Sequence, residues 1–296
     1  MAPTPLPRGS FDTCLAWYFV SIWGSGFLAT KIGLQHAAPF TFLTLRFAFG
    51  IACMAPVVWM TRAALPATRR DLWHVLVAGL LIHTLHLSGS HYAQYLGISA
   101  GIVAVLLSIQ PVLTALFAAH WMGERLAPRQ WLGIALGFAG VVLVVWHKVD
   151  VREITLASLI AVVVSLAGVT AGTLYTRVFC PQADLRASAL IQFAAAFVVL
   201  APLAWAIEGF AVRWAWPLFA AIVFLVIGAS ILAVNALHVL MRRGAATRVT
   251  SLFYLTPVFA VALEYLMFGV APGALSAAGI AVTCAGIALV TASRRH

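Results

Sequence analysis

The sequence predicts an all-α integral membrane protein of ten transmembrane helices, arranged as two inverted five-helix repeats around a central cavity. Three observations carry this prediction: a charge-poor apolar composition, a gapless internal repeat, and loop charges that switch between the two copies. Of 296 residues, 63% are hydrophobic and 9% charged, with a mean hydropathy of +1.02. A soluble domain carries about 25% charged residues, so lipid is the solvent this composition fits. The net charge of +10 raises nucleic acid as a partner. The arginines, however, sit singly or in pairs between apolar stretches, which suits membrane topology better than a nucleic-acid surface.

The repeat has an offset of 146 residues. Pro111-Val112, Gly123, Gly133-Ile134-Ala135, Ala139-Gly140 and Leu143-Val144 fall on Pro257-Val258, Gly269, Gly279-Ile280-Ala281, Ala285-Gly286 and Leu289-Val290, ten identities in 34 aligned positions. The same offset pairs Thr30-Lys31 with Thr176-Arg177, Phe47-Ala48 with Phe193-Ala194, and Ala55-Pro56 with Ala201-Pro202. So long a period marks a duplicated domain, 1–150 and 151–296, rather than a short-repeat solenoid.

A membrane-crossing helix needs about 20 mostly apolar residues. Charged and Pro/Gly punctuation gives spans at 12–32, 40–60, 72–95, 101–121, 130–147, 155–177, 187–207, 216–240, 247–268 and 274–292. Their length and lack of strict alternation select helices over barrel strands. The first apolar stretch has no convincing cleavage site, so span one is expected to be retained. With both termini in the cytoplasm, 13 of the 18 basic residues fall on that side and three on the far side, with Lys31 at a far-side helix end and Arg46 inside span two. That is a strong positive-inside pattern. Five spans per copy is odd, so the second copy runs upside down. The repeat tests this independently: Arg62, Arg69 and Arg70 become Glu208, Ala215 and Trp216, while uncharged Leu96, Gly97 and Ile102 become Arg242, Arg243 and Arg248. The four cysteines, Cys14, Cys53, Cys180 and Cys284, lack metal-ligand spacing and read as buried free thiols.

Ionisable groups inside spans are costly and mark functional candidates. Span one offers Trp17, Ser21 and Gly24 on one face. In span two, Arg46 either binds an anionic group of a substrate or closes the far-side end by bonding helix-end carbonyls, the second reading being slightly favoured. Span three is richest, with Gly79, His83, His86 and Ser90 at the spacing of one helical face. They form either a water-filled wall or neutral histidines bonded to neighbouring helices. Span four contributes Gln110 and Thr114, span six Thr170 and Thr173, span eight Asn235 and His238, and span nine Tyr254 and Glu264. Glu264 is a candidate proton or cation site that could equally reach the headgroups. Pro111 and Pro257 free backbone carbonyls and are candidate hinges. Gly133, Gly137 and Gly140 predict close helix packing. No metal, cofactor or catalytic residue is expected.

Trp23-Gly24-Ser25-Gly26-Phe27, Leu45-Arg46-Phe47, and Pro111 followed by Met122-Gly123-Glu124-Arg125-Leu126, Gly133 and Ala139-Gly140 resemble the EamA-type branch of the drug/metabolite transporter superfamily. The second copy departs from that pattern at Gly269-Val270-Ala271. The resemblance implies a cavity lined mainly by spans 1, 3, 4, 6, 8 and 9, and export of small metabolites by alternating access. Within the family the chain looks most like bacterial amino-acid exporters.

The expected function is therefore a multi-pass bacterial inner-membrane exporter of aromatic or neutral amino acids, or of similar amphipathic metabolites. Its partners would be a small-molecule substrate and the lipid bilayer, with no nucleic acid, and its state a monomer or weak homo-oligomer. Coupling is left open between facilitated diffusion and proton antiport through His83, His86 or Glu264. One rival is a hydrophobic-cation efflux transporter, for which Glu264 is the available acid. Another is an intramembrane hydrolase using Ser25, disfavoured because no Gly lies two positions before the serine and catalysis gives no reason for an inverted duplication.

Overall fold

The computed structural model describes residues 8–122, 127–150, 154–233, 236 and 255–292. The described elements are helices: α1 (Arg8–Leu34), α2 (Pro39–Thr61), α3 (Arg69–Gly79), α4 (Leu87–Tyr95), α5 (Ala100–Leu107), α6 (Gln110–Met122), α7 (Pro128–Asp150), α8 (Leu156–Phe179), α9 (Leu185–Glu208), α10 (Trp216–Val223), α11 (Leu255–Phe268) and α12 (Ala274–Ala292). Two π-helical segments, Leu80–His86 and Phe224–Ala233, interrupt the apolar rods that begin with α3 and α10. Among the described residues, six stretches are long and apolar enough to cross a membrane: Pro39–Thr61, Arg69–Tyr95, Ala100–Phe117, Leu156–Phe179, Leu185–Glu208 and Trp216–Ala233. Shorter apolar helices cover Pro128–Val144, Thr256–Phe268 and Ala274–Leu289.

Local chemistry sets the helix ends. Thr68 and Asp71 form a reciprocal capping box at the start of α3, and Thr155 and Ser158 form another at α8. Ser99 caps α5 through the Ile102 amide. Gly209 ends α9 in a left-handed conformation (φ 63°), where a side chain would be strained. The fourth rod breaks between Leu107 and Gln110. Pro111 lacks an amide hydrogen and its ring crowds the Leu107 carbonyl, so the break falls where the proline demands it. Pro56 and Pro202, one offset apart, stay inside continuous α2 and α9.

Packing follows the offset. α2 lies along α9, and α7 lies along α12. At the second crossing a methyl group on Gly286 would strike the Gly133 carbonyl and Gly137 backbone, and one on Gly140 would strike Thr283 and the Gly279 carbonyl. The glycines of the fifth span are therefore the contact itself. The first π segment and α3 pack on α8, while the second π segment and α10 pack on α1. These pairs exchange under the 146-residue offset. Cys14 is exposed rather than buried, and Cys53, Cys180 and Cys284 are half-buried. Cys14 sits on an outward-facing turn of α1, beside exposed Trp17 and Tyr18.

Candidate functional site

The polar residues of span three separate onto different neighbours. His83 Nε2 lies 3.2 Å from Gln192 Oε1 on α9, and its ring makes edge contacts with Phe47 and Phe193. His86 Nδ1 lies 2.8 Å from Ser165 Oγ on α8, and that hydroxyl donates to the His86 carbonyl at 2.8 Å. Ser90 donates to the Leu87 carbonyl and contacts His91 Nδ1, and the His91 ring leans on Phe42. The single stripe expected from a straight helix is thus corrected. A π segment places extra residues in its turns, so side chains beyond it rotate away from those before it. Gly168 permits this arrangement, because a methyl there would meet the His86 amide and the Leu81 carbonyl. Each imidazole has one bond to an adjacent group, as in the hydrogen-bonded reading.

Arg46 lies about 10 Å along α2 from its start. It is 8% exposed. Its guanidinium donates to Ser230 Oγ at 3.2 Å, and Ser230 in turn donates to the Leu225 carbonyl of the second π segment at 2.9 Å. The favoured expectation that Arg46 bonds helix-end carbonyls is therefore corrected: the side chain turns inward toward mid-depth. Under the offset Arg46 corresponds to Gln192. One residue of the matched pair reaches the second π segment, and the other reaches the first.

Glu264 lies outside this layer. One carboxylate oxygen accepts from Lys31 Nζ at 2.7 Å and the Ala100 amide at 3.0 Å, and the other accepts from the Gly101 amide at 2.8 Å. Lys31 also lies 4.3 Å from the centre of the Phe268 ring. Glu264 is thus the cap of α5 and the partner of Lys31, and both oxygens are occupied. It stands at a helix N-terminus, where the positive end of the dipole holds a carboxylate. At the same end Glu208 accepts from the Phe40 amide at 3.0 Å and from the Thr41 amide and hydroxyl at 2.7 Å each. Arg213 donates through its amide to the His36 carbonyl and through its guanidinium to the Gln35 carbonyl, beside an antiparallel bridge between Ala37 and Val212. Three contacts thus join residues 31–101 to residues 208–264 at the α1–α2 end.

Toward the other end, Gln110 Nε2 donates to Thr114 Oγ1 at 3.0 Å and to Thr173 Oγ1 at 3.4 Å, so these three expected site residues do meet. Thr170 is buried, its hydroxyl without a partner among the described residues. His74 Nδ1 meets the Tyr175 hydroxyl at 2.7 Å and stacks on Phe179. Trp17 is exposed and Ser21 half-buried, while Gly24 lets α1 approach Phe259 and the Thr256 carbonyl of α11. None of these three contacts the histidines. Pro257 lies in the first turn of α11, whereas Asn235, His238 and Tyr254 lie outside the described residues. Ser25 donates to the Ser21 carbonyl at 2.7 Å rather than to a histidine. Sequence reasoning missed Gln192, Ser165, Ser230 and Glu208. The repeat pointed to Gln192 as the mate of Arg46, but hydropathy carries no mark of a π turn.

A bundle of apolar helices with a polar layer at mid-depth and carboxylate clasps at one end defines a polytopic membrane transporter. The EamA-like transporter family model matches residues 13–146 and 154–292, so this chain belongs to that family and is a transporter rather than an enzyme. The inner membrane transporter YedA of Escherichia coli (strain K12) is 26% identical over 254 residues, which span 86% of this chain and 81% of YedA. A probable amino-acid metabolite efflux pump of Salmonella typhimurium (strain LT2) is 25% identical over 166 residues, 56% of this chain and 53% of the pump. A solved crystal structure, 21% identical, superposes with a TM-score of 0.65 over 97% of this chain and 99% of its own, a likeness of fold.

Proposed function

We propose that this protein exports amino acids, aromatic or neutral ones first among them, across the inner membrane by alternating access between two inverted five-helix halves. The observation that carries the reading is the pair of carboxylate clasps. Glu208 and Glu264 of the second half each cap a helix of the first half, and both lie at the α1–α2 end. Closing one end of a polar layer by contacts between halves gives a carrier closed on that side, and rocking the halves breaks them. With both termini cytoplasmic, the closed end is periplasmic. The partial likeness to an amino-acid metabolite efflux pump supports the substrate class.

A hydrophobic-cation pump needs a free carboxylate in its cavity. Glu264 is spent on Lys31 and the α5 amides, which favours the amino-acid reading. The same engagement favours facilitated diffusion over a proton relay through Glu264. Counterflow of radiolabelled phenylalanine and leucine into liposomes tests the reading. The expected outcome is accumulation against the external label, with a rate independent of an imposed pH gradient. Absence of counterflow for every neutral amino acid would overturn it.

A further inference from the structure

Arg46 is a buried cation with no carboxylate partner among the described residues. It is the one Arg or Lys inside a span by the charge assignment above, and an arginine in that setting costs roughly 3 kcal/mol even on insertion scales. The sequence holds eight carboxylates. Asp71, Asp184, Glu208 and Glu264 are engaged at helix ends. Asp12 lies near the start of α1 and Asp150 ends α7, while Glu124 and Glu153 lie outside the described residues. Among the described residues, the guanidinium has the Ser230 hydroxyl as its hydrogen-bond partner, leaving most of its five donors unused.

A second observation lies on the facing rod. His83 Nδ1, Thr84 Oγ1, Ser88 Oγ and His91 Nε2 are buried polar atoms without partners among the described residues. His83 and His91, like His86, lie within electrostatic reach of Arg46. Buried polar groups are normally satisfied, so such a concentration marks a place where a ligand or ordered water supplies the missing partners. Arg46 is nearly buried, but Ser230, His83 and His86 around it remain partly accessible. The second π segment reaches Arg46 through Ser230, and the first touches the adjacent Phe47 through His83; π turns recur at functional sites because they expose backbone groups that an α-helix would tie up.

We propose that Arg46 and Ser230 seat a carboxylate group of the transported substrate, with the orphan hydroxyls of Thr84 and Ser88 on the facing rod completing its hydrogen bonds. A planar guanidinium offers a fork that matches a carboxylate with two parallel bonds, which a lysine cannot reproduce. Gln192, the mate of Arg46, bonds His83 and carries no charge, so the seat belongs to one half alone. Span two thereby contributes to the site, although the family resemblance assigns the lining to other spans. This deepens the amino-acid reading, and the two are separable by experiment.

The test is binding to the purified full chain in detergent, with phenylalanine, 3-phenylpropanoate (carboxylate without amine) and phenethylamine (amine without carboxylate) as matched probes. Phenylalanine and 3-phenylpropanoate are expected to raise the unfolding temperature, and phenethylamine is not. Arg46→Gln should weaken both carboxylates at least tenfold. Arg46→Lys, which keeps the charge and guards against a folding defect, should weaken them severalfold while eluting as a monodisperse species. Unchanged carboxylate binding in both variants would overturn the proposal, as would a wild-type protein that binds neither carboxylate. Carboxylate binding lost in Arg46→Gln, in a protein that shows no amino-acid counterflow, would sustain this seat and remove the amino-acid export reading.

Discussion

The helices α2 and α9 align under the 146-residue offset and pack along each other, yet their N-termini are capped in different ways. At α2 the amides of Phe40 and Thr41 point at Glu208, which belongs to the other half. At α9 the matched amides, Arg186 and Ala187, point at Asp184, the residue just before the helix. The neighbouring turns differ in the same way. Ala37 bridges Val212, while the matched Ala183 and Pro66 form no bridge, and Pro66 has no amide hydrogen to offer. A shared frame thus carries cross-half ties at the α1–α2 end and a self-contained cap at the opposite end. An end that closes on a partner half can reopen only when the halves move, whereas a local cap survives that motion.

The largest expected break in this contrast is Glu264→Ala. It strands Lys31 and uncaps α5, and removing one member of a buried ion pair costs about 3–5 kcal/mol; Lys31 is partly exposed, so the lower end applies. If the clasp exists only in the closed state, the loss appears as population shift rather than unfolding. Cysteine reagents should then reach an Ala100→Cys probe, fully buried while the clasp is closed, at least tenfold faster in the variant. Glu208→Ala should follow with about 2 kcal/mol, from two amides and a hydroxyl left without a charged acceptor. Its readout is faster labelling at a Gln35→Cys probe.

Asp184→Ala should be the mildest, about 1 kcal/mol of cap, read as a lower unfolding temperature with no change in end accessibility. Its contribution has a defined pH window. The side-chain hydrogen bond from Arg186 holds the Asp184 carboxyl below its usual 3.8, at about 2. A lowered carboxyl value stabilises the folded state above the ordinary value, and the effect fades as pH falls toward 2. The gap between wild type and Asp184→Ala should be constant from pH 7 to pH 5 and close between pH 4 and pH 2.

Much of the frame was legible in the sequence. The tenth span, 274–292, coincides with α12, and the first π segment recurs near the second at the same 146-residue offset that the identities revealed. The glycine crossing of α7 and α12 was readable because small residues at helical spacing leave little else to do. The site was less so. Periodicity assumes 100° per residue, and the π turns break that assumption between Gly79 and Ser90, sending His83 to α9 and His86 to α8. The place of Glu264 toward the far-side end of its span was legible, whereas its capping role depends on the N-terminus of α5 lying beside it, a tertiary contact. Glu208 was read as a topology marker where Arg62 stands in the other copy, and its capping of α2 is a tertiary contact that no local pattern encodes.

The claim that the α1–α2 end opens during transport is tested most directly by locking it. In the bridge between Ala37 and Val212 the neighbouring Arg213 amide bonds the His36 carbonyl, which makes Ala37 and Val212 a non-hydrogen-bonded pair. Such pairs place their Cα atoms about 4.5 Å apart, within disulfide range. In a background lacking the four native cysteines, Ala37→Cys/Val212→Cys should lose counterflow on oxidation and regain it with dithiothreitol. Full counterflow from a quantitatively cross-linked protein would contradict the account.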